Sequence, residues 1–349
     1  MERKHGEPRD GRIRPACPPG AVTPCNPRLG LALGSGGARG WAHVGILKAL
    51  AAAGVRPGIV CGSSIGAWVG AIYAAGRLAR LEQWLAEHRR PGDLLGLMDL
   101  GLFDAGGLVR GARLAELLGE FVGEGEAMLT FADLPVRFAA VATDLRDGRE
   151  TWLTSGPLDV AVRASIALPG LIAPVSIDGR WLADGGLVNP VPVSLCRALG
   201  AERVIAVDLN NDHVSGFLAK LRDTSDQVSE IKGERSWLDH VSQELWRWTG
   251  RERVDESAPR ERAGAPAPLD VMAAAVNIMQ NRITRSRLAG DPPDVMLQPD
   301  LGGFDPLAFH RSGAPIAAGE KAVEYMRPAL EALVEVLAPR TASRAPDRE

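Results

Sequence analysis

What this sequence lacks narrows its class before any motif is read. No uninterrupted apolar run approaches the roughly 20 residues that cross a bilayer. The stretch from Met1 to Pro27 holds six prolines and many charges, with no apolar core of the kind a secretory signal needs. Basic residues are not in excess: 40 Lys and Arg stand against 43 Asp and Glu, for a net charge of -3, and the arginines are scattered. A nucleic-acid footprint is therefore missing, and no nucleic-acid partner is expected. The four cysteines, Cys17, Cys25, Cys61 and Cys196, have neither C-x-x-C nor Cys/His spacing, so they read as reduced structural thiols and not as a zinc site. A cytoplasmic protein is the expectation, with peripheral contact to the inner membrane face left open.

What is present is enough for a full core. The 349 residues are 46% hydrophobic and 24% charged, the balance of a globular protein of one large or two ordinary domains. Residues 1–27 are too polar to offset the entropy of ordering and are expected to be a disordered tail, as is 339–349. Between them strands and helices alternate: Leu29–Leu33, Pro57–Cys61, Val136–Ala142, Thr151–Thr154, Trp181–Ala183, Val204–Val207 and Val295–Leu297 read as strands. Helices are expected over Ala67–Ala75, Arg77–His88, Gly111–Val122, Leu158–Ile166, up to Leu199, over 270–288 and over Ile316–Leu337. This rhythm implies an α/β protein with a mostly parallel sheet covered on both faces and its active residues at the strands' carboxyl ends.

Two glycine-rich turns stand out. The first, Gly34-Ser35-Gly36-Gly37-Ala38-Arg39-Gly40, joins a strand to a helix that carries Val44, Leu47 and Ala51 on one face. Bare backbone N–H groups at such a turn serve either as a phosphate cradle or as an oxyanion hole. A Walker loop needs Gly-Lys-Ser/Thr where this chain has Gly40-Trp41-Ala42, and a dinucleotide loop needs glycine where Arg39 stands. The second strand also ends at Val60-Cys61, without the acidic residue that holds a ribose. An oxyanion hole at Gly36, Gly37 and Ala38 is the better reading, against a turn with only a packing role.

The second turn is Gly62-Ser63-Ser64-Ile65-Gly66, a Gly-x-Ser-x-Gly between strand and helix. Small residues two before and two after the serine let the chain reverse sharply and push the hydroxyl out of the sheet's edge, which makes Ser64 the candidate nucleophile. A base is then required. His5, His88, His213 and His240 lie in a tail, in charged helical runs or in irregular sequence, and His43 reads as a packing or hydrogen-bonding residue. His310 follows Asp184, as a Ser-Asp-His order demands, but shows no special turn chemistry. The alternative is a carboxylate that takes the proton directly. Asp184 closes an apolar strand and opens the turn Asp184-Gly185-Gly186, although a free aspartate near pKa ~3.9 is a weak base at neutral pH unless burial raises it.

Two apolar segments remain outside this scheme. Leu94–Phe103 is either a loop folded over the core or a flap that meets lipid. Within 209–268, Leu238, Val241, Leu245 and Trp248 recur at helical spacing, which suits a docked helix or a tryptophan-rich helix in a headgroup layer spanning 237–248.

Taken together, Gly34 to Gly40, the Gly-x-Ser-x-Gly about 28 residues on and the Asp-Gly-Gly about 120 residues later resemble the patatin-like phospholipases. Ala142-Thr143-Asp144-Leu145, Ala164 to Gly170 and Asn189-Pro190-Val191-Pro192 extend the likeness to the bacterial members related to neuropathy target esterase, over roughly 29–208. The resemblance implies a three-layer α/β/α fold over 28–338 with 209–268 as a divergent insertion. It implies a Ser64 and Asp184 dyad without histidine, an oxyanion hole at Gly36, Gly37 and Ala38, and support from Arg39, Gly40, Gly62, Gly66, Gly185 and Gly186. Acyl-ester hydrolysis of phospholipids or lysophospholipids, with no metal and no cofactor, follows from it. Two rivals stay open: a triad through His310, and a non-catalytic membrane adaptor on the same fold.

Overall fold

A computed structural model describes residues 25–90, 93, 107–123, 129–210 and 268–337. The expected flap at 94–103, the segment 237–248 within the expected insertion, and the tail from 339 lie outside the described residues.

Buried apolar runs form the central strands. The chain begins with β1 (Asn26–Leu33), two residues inside the segment 1–27 expected to be disordered, and passes through a short 3-10 turn at Gly37–Trp41 into α1 (Ala42–Ala52). Next come β2 (Pro57–Ser63), α2 (Ile65–Ala74), α3 (Leu78–Glu87), β3 (Gly107–Val109) and α4 (Ala112–Val122). β4 (Arg137–Asp144), β5 (Glu150–Leu153), α5 (Leu158–Ser165), β6 (Gly170–Ile172), β7 (Val175–Ile177) and β8 (Arg180–Asp184) follow. The last described elements are α6 (Val193–Ala198), β9 (Arg203–Val207), α7 (Pro268–Gly290), β10 (Val295–Leu297), α8 (Gly313–Tyr325) and α9 (Arg327–Leu337).

One expected helix is two. Ile316–Leu337 divides at Met326 because Pro328 has no N–H to give the preceding turn and its ring crowds that turn's carbonyl.

The main sheet runs β10-β9-β1-β2-β4-β8-β7, with β5 paired to β4. Neighbours from β10 to β4 are parallel, while β5, β7 and β8 pair antiparallel. Along β1, β2, β4 and β9 both faces are largely buried, and side chains alternate between them with the strand's period of two. Leu31, Leu33, Val60, Ala140, Ala142, Ile205 and Val207 join the larger core with α1, α2, α4, α5 and α9. Ala32, Ile59, Cys61, Ala139, Val141, Val204 and Ala206 join a smaller one with α6 and Leu288 of α7. The result is the expected three-layer α/β/α sandwich around a mostly parallel sheet. In the larger core Trp68 stacks edge-on against Trp41 and Phe121, at 5.9 and 5.6 Å between ring centres.

The cysteine reading needs a correction. Cys61 and Cys196 are free and buried, but Cys25 is disulfide-bonded, so its partner lies outside the described residues. No described helix is long and apolar enough to cross a membrane.

Candidate active site

β2 is buried along its whole length and stops at Ser63, one residue before the turn. Ser64 then adopts φ 55° and ψ -126°, a backbone state that costs a residue with a side chain about 1–3 kcal/mol. Its neighbours hold it there. A Cβ on Gly62 would lie 2.4 Å from the Ala67 nitrogen, and one on Gly66 would lie 2.1 Å from the Leu33 carbonyl oxygen. Only glycine lets α2 turn back this closely on β1 and β2. The Ser64 N–H donates to Ser165 Oγ at 3.0 Å, from the last residue of α5. The Ser64 side chain is half-buried.

Asp184 arrives at the same point from the opposite direction. Ala140 and Val141 of β4 pair with β2 and β5 together, while Ala142 and Thr143 pair with β5 and β8 together. A residue in a sheet has two edges, so β2 and β8 share one edge of β4. β2 runs parallel to β4 and ends at Ser63, opposite Val141; β8 runs antiparallel and ends at Asp184, opposite Ala142. The two strands point at each other and stop on successive rungs. Gly185 fits the seam between them, where a Cβ would meet the Val141 carbonyl oxygen at 2.3 Å and Ser63 Oγ at 2.8 Å.

The carboxylate is fully engaged. Asp184 is 1% exposed. Its Oδ2 accepts the Ser64 hydroxyl at 2.5 Å, and its Oδ1 accepts the Gly186 N–H at 2.7 Å. Its own N–H donates to the Ala167 carbonyl at 2.9 Å, and its carbonyl accepts Thr143 Oγ1 at 2.7 Å. Burial raises the Asp184 pKa to about 6, and the hydrogen bonds from Ser64 and Gly186, which favour the charged form, do not cancel that rise. Loss of hydration penalises the carboxylate more than the acid. This is the rise in basicity that direct proton removal from a serine requires.

The glycine loop leaves the neighbouring strand at the same edge, since Leu33 pairs with Gly62. Gly34 and Ser35 donate their N–H groups to the Val207 and Pro190 carbonyls, at 3.1 and 2.9 Å. Among the described residues the N–H groups of Gly36 and Gly37 have no acceptor, whereas Ala38 donates to the Pro306 carbonyl at 2.7 Å. Two of the three amides expected in an oxyanion hole are thus unengaged, and that of Ala38 is occupied.

Buried side chains tie the loop down. His43 Nε2 lies 2.8 Å from the Gly34 carbonyl oxygen, which places the ring hydrogen on Nε2. Burial lowers the His43 pKa to about 4, so the ring is neutral. Arg39 donates through Nε to the Gly36 carbonyl at 3.2 Å and through Nη2 to Asn277 Oδ1 at 2.5 Å. Burial lowers its pKa to about 10, against the pull of Asp208 and Asp305, and it stays charged at neutral pH. Gly40 packs against Ile65 at the start of α2.

No histidine among the described residues is a hydrogen-bond partner of Ser64 or Asp184. His310 is partly buried in the segment after β10. The sequence reading missed four groups: Ser165 and Thr143, which hold Ser64 and Asp184, and Asn277 and Gln280, which hold the glycine loop. A signal for the last two exists. Asn277, Gln280, Asn281 and Thr284 fall at i, i+3, i+4 and i+7 of a helix, which makes one polar stripe, and the last three are buried.

With this geometry in hand, the comparisons identify the class. The family model for patatin-like phospholipase matches residues 31–197, and the chain belongs to the patatin-like phospholipase family, in its NTE-related branch. An uncharacterized NTE family protein of Mycobacterium tuberculosis is 34% identical over 328 residues, covering 84% of this chain and 89% of that protein. Lysophospholipase NTE1 of Pyricularia oryzae is 28% identical over 349 residues, covering 91% of this chain and 21% of that much longer protein. Among solved structures, VipD from Legionella pneumophila aligns with a TM-score of 0.33 at 16% identity, covering 76% of this chain and 67% of that one.

Proposed function

We propose that this protein is a serine hydrolase of lipid acyl esters, of the phospholipase A or lysophospholipase type, working through Ser64 and Asp184 in the unit 28–338. The observation that carries the reading is the 2.5 Å contact between Ser64 Oγ and a buried Asp184 Oδ2, with no histidine among the described residues hydrogen-bonded to either. Asp184 accepts the hydroxyl proton as Ser64 Oγ bonds to the ester carbonyl carbon. The carbonyl oxygen takes up negative charge and is met by the N–H groups of Gly36 and Gly37. As the intermediate collapses, the carbon–oxygen bond to the lysolipid or glycerol alcohol breaks, and that oxygen takes the proton from Asp184. A water then repeats the sequence on the acyl-serine: Asp184 accepts its proton, its oxygen bonds to the acyl carbon, and Ser64 leaves with the proton as the fatty acid is released.

Membership of the phospholipase family and the likeness to the lysophospholipase NTE1 of Pyricularia oryzae support lipid esters as substrates. Contact with the lipid surface is assigned to 94–103 or 237–248, both outside the described residues. The test is a panel of p-nitrophenyl butyrate, a lysophosphatidylcholine and a diacyl phosphatidylcholine, each given to wild type and Ser64→Ala. Release of acid from at least one ester by wild type alone supports the reading; no release from any, or equal release by Ser64→Ala, rejects it.

A further inference from the structure

Gln280 lies in α7, beyond the matched region 31–197, yet it is only 5% exposed and touches both loops of the site. Its Oε1 accepts Ser35 Oγ at 3.0 Å and Asn210 Nδ2 at 3.2 Å. On the other side, the position a Cβ would take on Gly186 is 2.4 Å from Gln280 Nε2, 2.9 Å from Asp184 Oδ1 and 3.1 Å from Ser35 Oγ. Polar atoms from three separate parts of the chain converge on a spot that only a hydrogen atom fits. Gly186 is also the residue whose N–H holds Asp184 Oδ1, and Ser35 immediately precedes Gly36.

The helix that carries Gln280 is itself anchored. Asn277 takes the Arg39 guanidinium, Asn281 Nδ2 donates to the Asn210 carbonyl at 2.7 Å, and Arg287 pairs with Glu150 at 2.8 Å. Burying an amide costs free energy unless its hydrogen bonds are made, and an aliphatic side chain would fill this position without that cost. The amide is spent on two loops whose mutual distance decides whether base and oxyanion donors face the same carbonyl.

We propose that Gln280 is a positioning residue: it sets the separation between the glycine loop and the Asp184-Gly185-Gly186 turn. The inference rests on the serine-hydrolase reading above. A misplacement of about 1 Å between reacting groups costs on the order of 100-fold in rate.

The experiment uses the full chain as wild type, Gln280→Met and Gln280→Glu, with p-nitrophenyl butyrate as substrate. Rates are taken per Ser64 that a fluorophosphonate labels at completion, so unfolded protein does not count. Gln280→Met removes both polar atoms and should lower kcat about 100-fold with KM within about twofold. Gln280→Glu keeps an oxygen for Ser35 and sets a second negative charge beside Asp184, so the acid limb of its pH profile should move upward and its kcat at pH 8 should exceed that of Gln280→Met. A Gln280→Met protein with wild-type kcat, or a Gln280→Glu protein with an unmoved acid limb, overturns the proposal. If Gln280→Met does not fold, the acid limb of Gln280→Glu decides alone. Wild type that neither turns over nor labels removes the hydrolase reading instead, which keeps the two failures apart.

Discussion

Ser64 Oγ and Asp184 Oδ2 lie 2.5 Å apart although 120 residues separate them. They meet because β2 and β8 occupy one edge of β4 and run at each other, ending on the rungs of Val141 and Ala142. In the proposed reaction proton transfer depends on one charge, that of a carboxylate 1% exposed, and the consequences of that charge can be measured.

Asp184→Asn removes the proposed base and keeps the shape. We expect kcat to fall about 1,000-fold, within the usual span for a general base. Stability should move the other way. The folded pKa of Asp184, about 6, lies above its ordinary value of 3.8, so its contribution to stability is fully present below pH 3.8 and is lost as pH rises through 6. At roughly 1.4 kcal/mol per pKa unit this is about 3 kcal/mol. Melting curves at pH 4 and pH 8 should show wild type losing stability relative to Asp184→Asn across that window.

Activity should follow the same titration. We expect kcat/KM for a short ester to rise through a midpoint near pH 6 and to fall tenfold per pH unit below it, because only the ionised carboxyl accepts a proton. His43, with its pKa near 4, adds nothing to that limb. A midpoint near pH 4 contradicts the buried base.

His310→Ala should hydrolyse esters within about twofold of wild type, because the Ser64 hydroxyl already has its acceptor. His43→Ala should cost stability instead, about 1–3 kcal/mol for a buried Gly34 carbonyl left without its donor. Parallel kinetics and denaturant melts separate the two effects.

How much of this was legible from the chain follows from what carries information locally. The elbow at Gly62 to Gly66 was readable because steric need dictates residue type, as the Leu33 carbonyl shows for Gly66. The strands Leu29–Leu33 and Val295–Leu297 were readable because both sheet faces are buried and the runs are continuously apolar. β3, β6 and β7 were not: each has three residues, one of them Gly107, Gly170 or Ser176, so none forms the continuous apolar run that marks Val295–Leu297. The hairpin between β7 and β8 was there to be read, since Asp178-Gly179 is a turn dipeptide and both residues have positive φ, 50° and 73°. That the amide of Ala38 is spent on Pro306 and that α7 grips the glycine loop are contacts across long separations, which no local pattern encodes.

Gly66→Ala should fail to fold or lose about 3 kcal/mol or more, since its Cβ would meet backbone and not a side chain that can swing away. Soluble yield and a urea melt read this directly.

The central claim is that Asp184 activates Ser64, and intact-mass analysis after fluorophosphonate treatment tests it most directly. The account predicts one adduct on wild type, mapped to Ser64, none on Ser64→Ala, and labelling of Asp184→Asn slowed by orders of magnitude. An unlabelled wild type, an adduct elsewhere, or an Asp184→Asn protein labelled at the wild-type rate contradicts it.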